Sequence, residues 1–236
     1  MNSEILILGS TAISIGFIHT LLGPDHYLPF IVLSRARNWS IKKTLWISFF
    51  CGLGHVLSSV FLGLLGLALG LAIFTLKGIE EWRGSIAAWL LIGFGLAYTI
   101  WGIQRGLKNK PHRHLHFHQD GQPHDHLHTH EGDHLHPHDE STKKLTPWIL
   151  FIIFVFGPCE PLIPLLLYPA AKHSWMGVGI VAATFSITTI LTMLTLIFLG
   201  ARGMRFIQFG FMERYVHALA GGIIFFSGVG IKFLGL

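Results

Sequence analysis

Charged residues are scarce in this chain, and long stretches of it contain none. Only 12% of its 236 residues are charged, whereas 51% are hydrophobic. The apolar residues form long blocks rather than the periodic pattern of a soluble core. This composition excludes an ordinary soluble domain and predicts a polytopic membrane protein whose surroundings are a lipid bilayer.

Cysteine is also scarce. The two cysteines, Cys51 and Cys159, both fall in apolar segments, so they give no evidence of an extracellular disulfide framework. No nucleotide-binding P-loop is present, and any transport would therefore be driven by a gradient or a separate subunit. No catalytic residue set emerges, so we do not expect an enzyme. The N-terminus lacks the basic region of a cleavable signal peptide, and we expect the first apolar segment to be retained.

Six apolar segments are long enough to cross a bilayer, which requires about 20 residues. Their predicted boundaries are residues 5–33, 44–76, 85–106, 147–170, 174–200 and 213–235. Most exceed the minimum length, so we expect tilted or broken helices.

Two short motifs echo each other inside the first and fourth of these segments. Gly23-Pro24-Asp25-His26 corresponds to Gly157-Pro158-Cys159-Glu160, and proline next to glycine breaks a helix. Further weak matches follow in the same order, and three spans per half require an inverted second copy. The sequence thus predicts an all-α fold: a first three-helix repeat (1–107), a loop (108–146) and a second three-helix repeat (147–236), with broken first and fourth helices.

The basic residues are confined largely to alternate connections between the predicted spans. These are Arg35, Arg37, Lys42, Lys43, Arg105, Lys108, Lys110, Arg113, Lys143, Lys144, Arg202, Arg205 and Arg214. The other connections hold only Lys77, Arg83 and Lys172. By the positive-inside rule, both termini face outward across the cell (inner) membrane and the central loop is cytoplasmic. The positive charge encodes orientation and does not indicate a nucleic-acid partner.

Ionisable side chains inside the apolar segments indicate a functional site, because unpaired charge is costly there. His19 and His26 would lie about 10 Å apart on a regular helix. Only the break beside Asp25 would let both approach one ion. Apart from Glu213 at the first position of the sixth span, Asp25 and Glu160 are the only acidic residues within the predicted spans.

Residues from other segments complete the predicted site. Cys51 and His55 are four residues apart and share a helix face, offering sulfur and imidazole ligands. The predicted metal ligands are His19, Asp25, His26, His55, Cys159 and Glu160, with Cys51 as a secondary ligand. Three plainer interpretations stay open: a packing kink at Gly-Pro, a histidine bonded to a neighbouring helix, and a structural role for Glu160.

The loop between the two repeats is rich in histidine. Eleven of the 16 histidines lie there: His112, His114, His116, His118, His124, His126, His128, His130, His134, His136 and His138. Such a segment cannot form a hydrophobic core, so it is predicted to be disordered without ligand. Imidazoles bind transition metals, and the loop is predicted to gather them near the membrane.

The first repeat resembles the nickel/cobalt permeases of the NiCoT family. His19 followed by Gly23-Pro24-Asp25-His26 is similar to their histidine-then-Asp-His motif, with five intervening residues where that family has four. Gly52-Leu53-Gly54-His55 resembles their Leu-Gly-His segment. The histidine-rich loop resembles that of RcnA-type exporters, and the six-span plan resembles UreH-like membrane proteins.

The second break carries a different resemblance. The segment Phe156–Pro164 is similar to the Pro-Cys-x-x-Pro stretch of CcdA/DsbD thiol-redox transporters. Those proteins have a reactive cysteine in both halves. In this chain the corresponding position of the first half is Asp25.

The residues and these resemblances together leave three functions, given in order of preference. The first is a transporter of divalent transition metals, Ni²⁺ or Co²⁺ before Zn²⁺, leaning slightly to efflux, with a homo-oligomer or an accessory metallochaperone as partner. The second is a transmembrane thiol–disulfide relay, which requires Cys51 and Cys159 to approach within about 7 Å between Cα atoms. The third is a metal-storing protein without a transport cycle.

Overall fold

The computed structural model describes residues 3–108, 112–117, 123–128, 139–206 and 210–234. Within these residues the chain is almost entirely helical. The α-helices are α1 (Ser3–Leu22), α2 (Leu28–Ala36), α3 (Ile41–Ala68), α4 (Ile73–Lys108), α5 (Asp139–Phe156), α6 (Leu162–Ala171), α7 (Trp175–Phe206) and α8 (Val216–Val229). Shorter helical turns span Pro24–His26, Gly210–Tyr215 and Gly230–Leu234.

The prediction of an all-helical polytopic membrane protein is confirmed. Among the described residues, five helices are long and apolar enough to cross a membrane: Ser3–Leu22, Ile41–Ala68, Ile73–Leu107, Trp175–Phe206 and Glu213–Leu234. The fourth span is broken as predicted, into two short apolar helices, Leu145–Phe156 and Leu162–Ala171. Both predicted interruptions are therefore present, one between α1 and α2 and one between α5 and α6.

The connection between α3 and α4 differs from the predicted boundaries. The second span was expected to reach residue 76, but α3 ends at Ala68, and Gly70 follows with a φ of 64°. α4 begins at Ile73 rather than at residue 85. Glu80 and Arg83, which were expected in a loop, are paired three residues apart within this helix. The pairing reduces the cost of burying either charge and lets the helix extend.

Equivalent helices of the two halves make equivalent contacts. α1 packs against α7 as α5 packs against α3, and the third helices of the halves, α4 and α8, pack directly on each other. Glycine permits this close approach: a Cβ on Gly95 or Gly221 would overlap the opposing backbone. This arrangement matches the expected pair of three-helix repeats and brings the two interruptions toward a common interior.

Two short pieces of the histidine-rich segment lie among the described residues, and the predicted disorder of the loop stays a prediction. Two strands, β1 (His112–Phe117) and β2 (Pro123–His128), pair antiparallel, with His114 opposite His126. Histidine at every second position places these residues on one face of a strand, which is compatible with extended pairing. The predicted metal-gathering residues His118, His130, His134, His136 and His138 lie outside the described residues.

Candidate functional site

The first interruption brings two histidines of one segment together. α1 closes with a hydrogen bond from the Gly23 N–H to the His19 carbonyl at 3.0 Å. Pro24 lacks an N–H, and a short turn leads into α2. As a result the ring centroids of His19 and His26 lie 4.9 Å apart. The break therefore replaces the separation of about 10 Å along a regular helix by direct ring contact.

A third histidine joins this pair from α3. The ring centroids of His26 and His55 lie 5.1 Å apart, with the planes perpendicular. One possible ligand atom from each of His19, His26 and His55 lies within 4.8 Å of the other two. His26 and His55 are each only 3% exposed, and His19 is half-buried. Three of the predicted ligands thus converge in the interior.

The two buried histidines use their ring nitrogens in the same way. His26 Nδ1 lies 3.1 Å from the Gly23 carbonyl oxygen, and His55 Nδ1 lies 3.3 Å from that of Phe154. Because a carbonyl oxygen only accepts, Nδ1 carries the hydrogen in each ring. Both Nε2 atoms are buried and have no hydrogen-bond partner in the described part of the chain. Each ring therefore keeps an unused acceptor nitrogen.

Asp25 supports the cluster from its edge. Its Oδ1 lies 3.2 Å from His26 Nδ1, and its side chain is 23% exposed. A cavity of about 560 Å³ adjoins the site, lined among others by His19, Asp25, His26, Pro158 and Glu160. Asp25 thus orients an imidazole and also borders open space.

The second interruption positions Cys159 beside the histidines. α5 ends at Phe156, α6 begins at Leu162, and Cys159 is completely buried between them. Its Sγ lies 3.9 Å from His19 Nε2. Glu160 is exposed and lines the cavity instead. Asp25, Cys159 and Glu160 are not members of the described set whose ligand atoms all approach within 4.8 Å.

A buried ion pair on α4 holds the second interruption in place. Arg83 donates to Glu80 Oε1 at 2.6 Å, to the Val155 carbonyl at 2.8 Å and to the Gly157 carbonyl at 3.4 Å. Glu80 Oε2 accepts the Cys159 N–H at 3.3 Å. Two backbone carbonyls and one backbone N–H freed by the break are therefore satisfied from another helix.

The sequence interpretation missed this ion pair. Glu80 is only 1% exposed within α4, so Asp25 and Glu160 are not the only acidic residues inside the membrane-spanning helices. A signal was present in the sequence: an acidic and a basic residue three positions apart, flanked by apolar residues, can continue a helix as a neutral pair. A hydropathy average treats the same residues as a loop.

Cys51 lies apart from Cys159. It is 1% exposed and packs in a hydrophobic cluster that includes Phe30 and Phe154. Cys159 packs in a second cluster, with Phe185 and Leu162 among others. Both are free thiols. Cys51 is nevertheless one helical turn before His55, and His55 adjoins the second interruption. A Cβ added to Gly157 would lie 2.9 Å from His55 Nδ1.

Comparison with known proteins gives one finding. The family model DsbD_2, described as the cytochrome c biogenesis protein transmembrane region, matches residues 28–230. No curated protein and no solved structure matches the chain. The matched region runs from α2 to the end of α8 and includes the second interruption, whose resemblance to CcdA/DsbD proteins was visible in the sequence.

This match corrects the functional prediction. The assignment to nickel/cobalt transporters was wrong, because the family that matches is the cytochrome c biogenesis one. The histidine-then-Asp-His motif rested on few residues and an altered spacing. The expectations of a metallochaperone and a homo-oligomer stay predictions, as do the predicted ligand identities.

Proposed function

Because the chain belongs to the family of cytochrome c biogenesis protein transmembrane regions, we propose that it carries reducing equivalents across the membrane by thiol–disulfide exchange. Cys159 is the thiol that meets partner proteins, and Cys51 is the thiol that completes its disulfide. The observation that carries this proposal is the contact between Cys159 Sγ and His19 Nε2 at 3.9 Å, inside a helix break.

An imidazole beside a thiol favours exchange chemistry. The thiolate is the attacking species, and a neighbouring base accepts the proton as sulfur attacks a disulfide. His19 is in position to act as that base for Cys159. Pro158 and Glu160, on either side of Cys159, both line the cavity of about 560 Å³. A small rotation of the break segment therefore exposes Cys159 to a partner through this cavity.

The proposed cycle moves two electrons and two protons. A dithiol protein on one side of the membrane attacks a Cys51–Cys159 disulfide, passes through a mixed disulfide and leaves oxidised. On the other side, Cys159 attacks the disulfide of a second protein, and Cys51 resolves the mixed disulfide. In each turnover the thiols of Cys51 and Cys159 are formed by the first partner and consumed by the second.

This cycle requires Cys51 and Cys159 to approach within about 7 Å between Cα atoms. Cys51 and Cys159 are both free and buried in the structure, so the disulfide of the cycle has to form by a movement of the segments that carry them. The segments that carry them are already in contact, since His55 on α3 adjoins Gly157. The break, at Gly157 to Pro161, is the natural place for the required movement because no continuous helix has to bend.

Thiol trapping tests the proposal on the full-length protein. The protein is oxidised with diamide, denatured and alkylated with a maleimide of high mass. We expect two modified cysteines before oxidation and none after it, without a dimer on a non-reducing gel. Cys51→Ser and Cys159→Ser should each keep one reactive thiol after oxidation. Two reactive thiols in the oxidised wild type would refute the relay.

The orientation in the cell membrane is a further part of the proposal. Basic residues meet at one end of the bundle, where Arg35 pairs with Glu213 at 2.9 Å and Arg205 donates to the Trp39 carbonyl at 3.4 Å. The positive-inside rule supports a cytoplasmic position for this end, with both termini outside. A phosphatase fused to the C-terminus should be active. A fluorescent protein that folds only in the cytoplasm should give no fluorescence when it is fused at the same position.

A further inference from the structure

The cluster of His19, His26 and His55 has no task as a group in thiol exchange. Only His19 contacts Cys159, whereas His26 and His55 keep buried Nε2 atoms without a hydrogen-bond partner in the described structure. An unpaired polar atom in an apolar interior costs about 1–3 kcal/mol. Burying two of them side by side requires an explanation beyond packing.

The hydrogen bonds at Nδ1 supply that explanation. A metal-binding histidine usually donates its other ring N–H to a carbonyl or carboxylate, which fixes the tautomer and the direction of the free lone pair. His26 has this arrangement with the Gly23 carbonyl and the Asp25 carboxylate. His55 has it with the Phe154 carbonyl at 3.3 Å. The supporting contacts of a metal site are therefore already formed.

We propose that His19, His26 and His55 bind one transition-metal ion of the Zn²⁺, Co²⁺ or Ni²⁺ type. Their ligand atoms lie within 4.8 Å of one another, so a small adjustment places all three around one ion. Three imidazoles with an open fourth position form a known zinc coordination. Nitrogen ligands disfavour Mg²⁺ and Ca²⁺, which prefer oxygen.

The geometry also indicates what completes the coordination. Cys159 Sγ is 3.9 Å from His19 Nε2, and the adjoining cavity reaches His19 and His26. The fourth ligand is therefore either this sulfur or a water in the cavity. The proposal concerns binding alone and does not rest on the thiol relay. Two of its ligands, His26 and His55, have no role in exchange, whereas His19 is shared with the relay because it also contacts Cys159.

Zinc retention tests the site. Because imidazoles are common metal ligands, the parent for this test carries asparagine at all eleven loop positions, so that retained metal reports on the intramembrane cluster. The purified parent is loaded with Zn²⁺, passed over a chelating resin and analysed for zinc by mass spectrometry. We expect about one ion per chain. His55→Gln should bind zinc at least tenfold more weakly, since a ligand is worth no less than its supporting contacts. A parent that retains no zinc would overturn the proposal.

A matched control separates ligand loss from general damage. His217 is half-buried outside the cluster, with Nδ1 2.9 Å from the Tyr98 hydroxyl. His217→Gln should retain zinc like the parent. Equal retention by His55→Gln and the parent would exclude the site. Circular dichroism and gel filtration must show that both variants fold. If His55→Gln fails to fold, the visible absorption of Co²⁺ bound to the parent decides, because tetrahedral nitrogen coordination gives intense bands and an octahedral aquo-ion does not.

The two proposals fail separately. Cys159→Ser removes the thiol needed for exchange but leaves all three imidazoles, so zinc should stay bound, although with lower affinity if sulfur is the fourth ligand. Thiol trapping that succeeds without zinc retention supports the relay alone. Zinc retention without a redox-dependent disulfide supports the metal site alone.

Discussion

The two interruptions use the same backbone device to present different chemistry. The first, at Gly23 to His26, places a histidine in the interior and supports it with its own carbonyl and carboxylate. The second, at Gly157 to Pro161, places a thiol there. Its backbone is held by the Glu80–Arg83 pair from another helix. One interruption supports itself locally, and the other depends on a distant ion pair.

This difference has a physical origin in hydrogen-bond accounting. After the first break, a tight turn restarts the backbone pattern within three residues, and few groups are left unpaired. The second break also separates its helices by five residues, but no short helical turn fills it, and Pro158 and Pro161 supply no donors. Its free carbonyls require a donor from elsewhere in the protein, because the surrounding lipid offers none. Arg83 meets this need with several donors in one planar group.

The largest effect is expected from removing Arg83. Arg83→Met leaves Glu80 as an unpaired buried charge and the Val155 and Gly157 carbonyls without their donor. Breaking a buried pair in this way costs about 3–5 kcal/mol of unfolding free energy. Chemical unfolding in detergent measures it. Lys77→Met, an exposed cation on the same helix, is the control and should change stability by less than about 0.5 kcal/mol.

A double variant sharpens this result. Glu80→Gln with Arg83→Met removes both charges, so it should recover part of the stability that Arg83→Met loses. If the double variant is no more stable than Arg83→Met, the carbonyl contacts of Arg83 matter more than its charge pairing with Glu80.

An intermediate effect is expected at the contact between the second interruption and α3. A Cβ at Gly157 would lie 2.9 Å from His55 Nδ1 and 3.1 Å from the Phe154 carbonyl. Gly157→Ala should therefore cost about 1–3 kcal/mol through overpacking and should weaken zinc binding by displacing His55. Gly93→Ala is the control. A Cβ there meets no atom within 4 Å, so it should be neutral or stabilising by about 0.5–1 kcal/mol.

A smaller effect distinguishes the acidic residues of the two interruptions. Asp25 contacts His26, whereas Glu160 is exposed at the cavity wall. Asp25→Asn should weaken zinc binding about tenfold, as loss of a supporting carboxylate does. Glu160→Gln should leave zinc affinity unchanged. Competition with a fluorescent zinc chelator, in the background without loop histidines, measures both. Equal effects of the two substitutions would show that Asp25 does not orient His26.

The interruptions were predictable from the sequence because their cause is local. Gly23-Pro24 and Gly157-Pro158 break helices wherever they occur, and the surrounding apolar residues locate them in the membrane. The early start of α4 at Ile73 was not predictable in the same way. It depends on the buried Glu80–Arg83 pair and on the donation from Arg83 to Ser58 Oγ at 2.6 Å across helices. Such tertiary contacts do not appear in a hydropathy profile.

The residues of the site were easier to predict from the sequence than the function of the site. His19, Asp25 and His26 lie close in sequence, and the break alone indicated their approach. His55 required the packing of α3, which its spacing from Cys51 does not reveal. Histidine and cysteine serve metal binding and thiol exchange equally well. Residue types therefore pointed to metal transport, whereas the family model that matches residues 28–230 is that of the cytochrome c biogenesis protein transmembrane region.

The smallest effect is expected where the two halves meet outside the interruptions. Arg35, in the last turn of α2, pairs with Glu213 at 2.9 Å, and the Glu213 side chain is 64% exposed. Because solvent screens this pair, Glu213→Gln should cost only about 0.2–1 kcal/mol, and the loss should vanish in high salt. Chemical unfolding at two salt concentrations measures it. A salt-independent loss of several kcal/mol, like that expected for Arg83→Met, would contradict this prediction. It would show that the exposed Arg35–Glu213 pair stabilises the protein as much as the buried Glu80–Arg83 pair, so that burial would not explain why the second interruption depends on its ion pair.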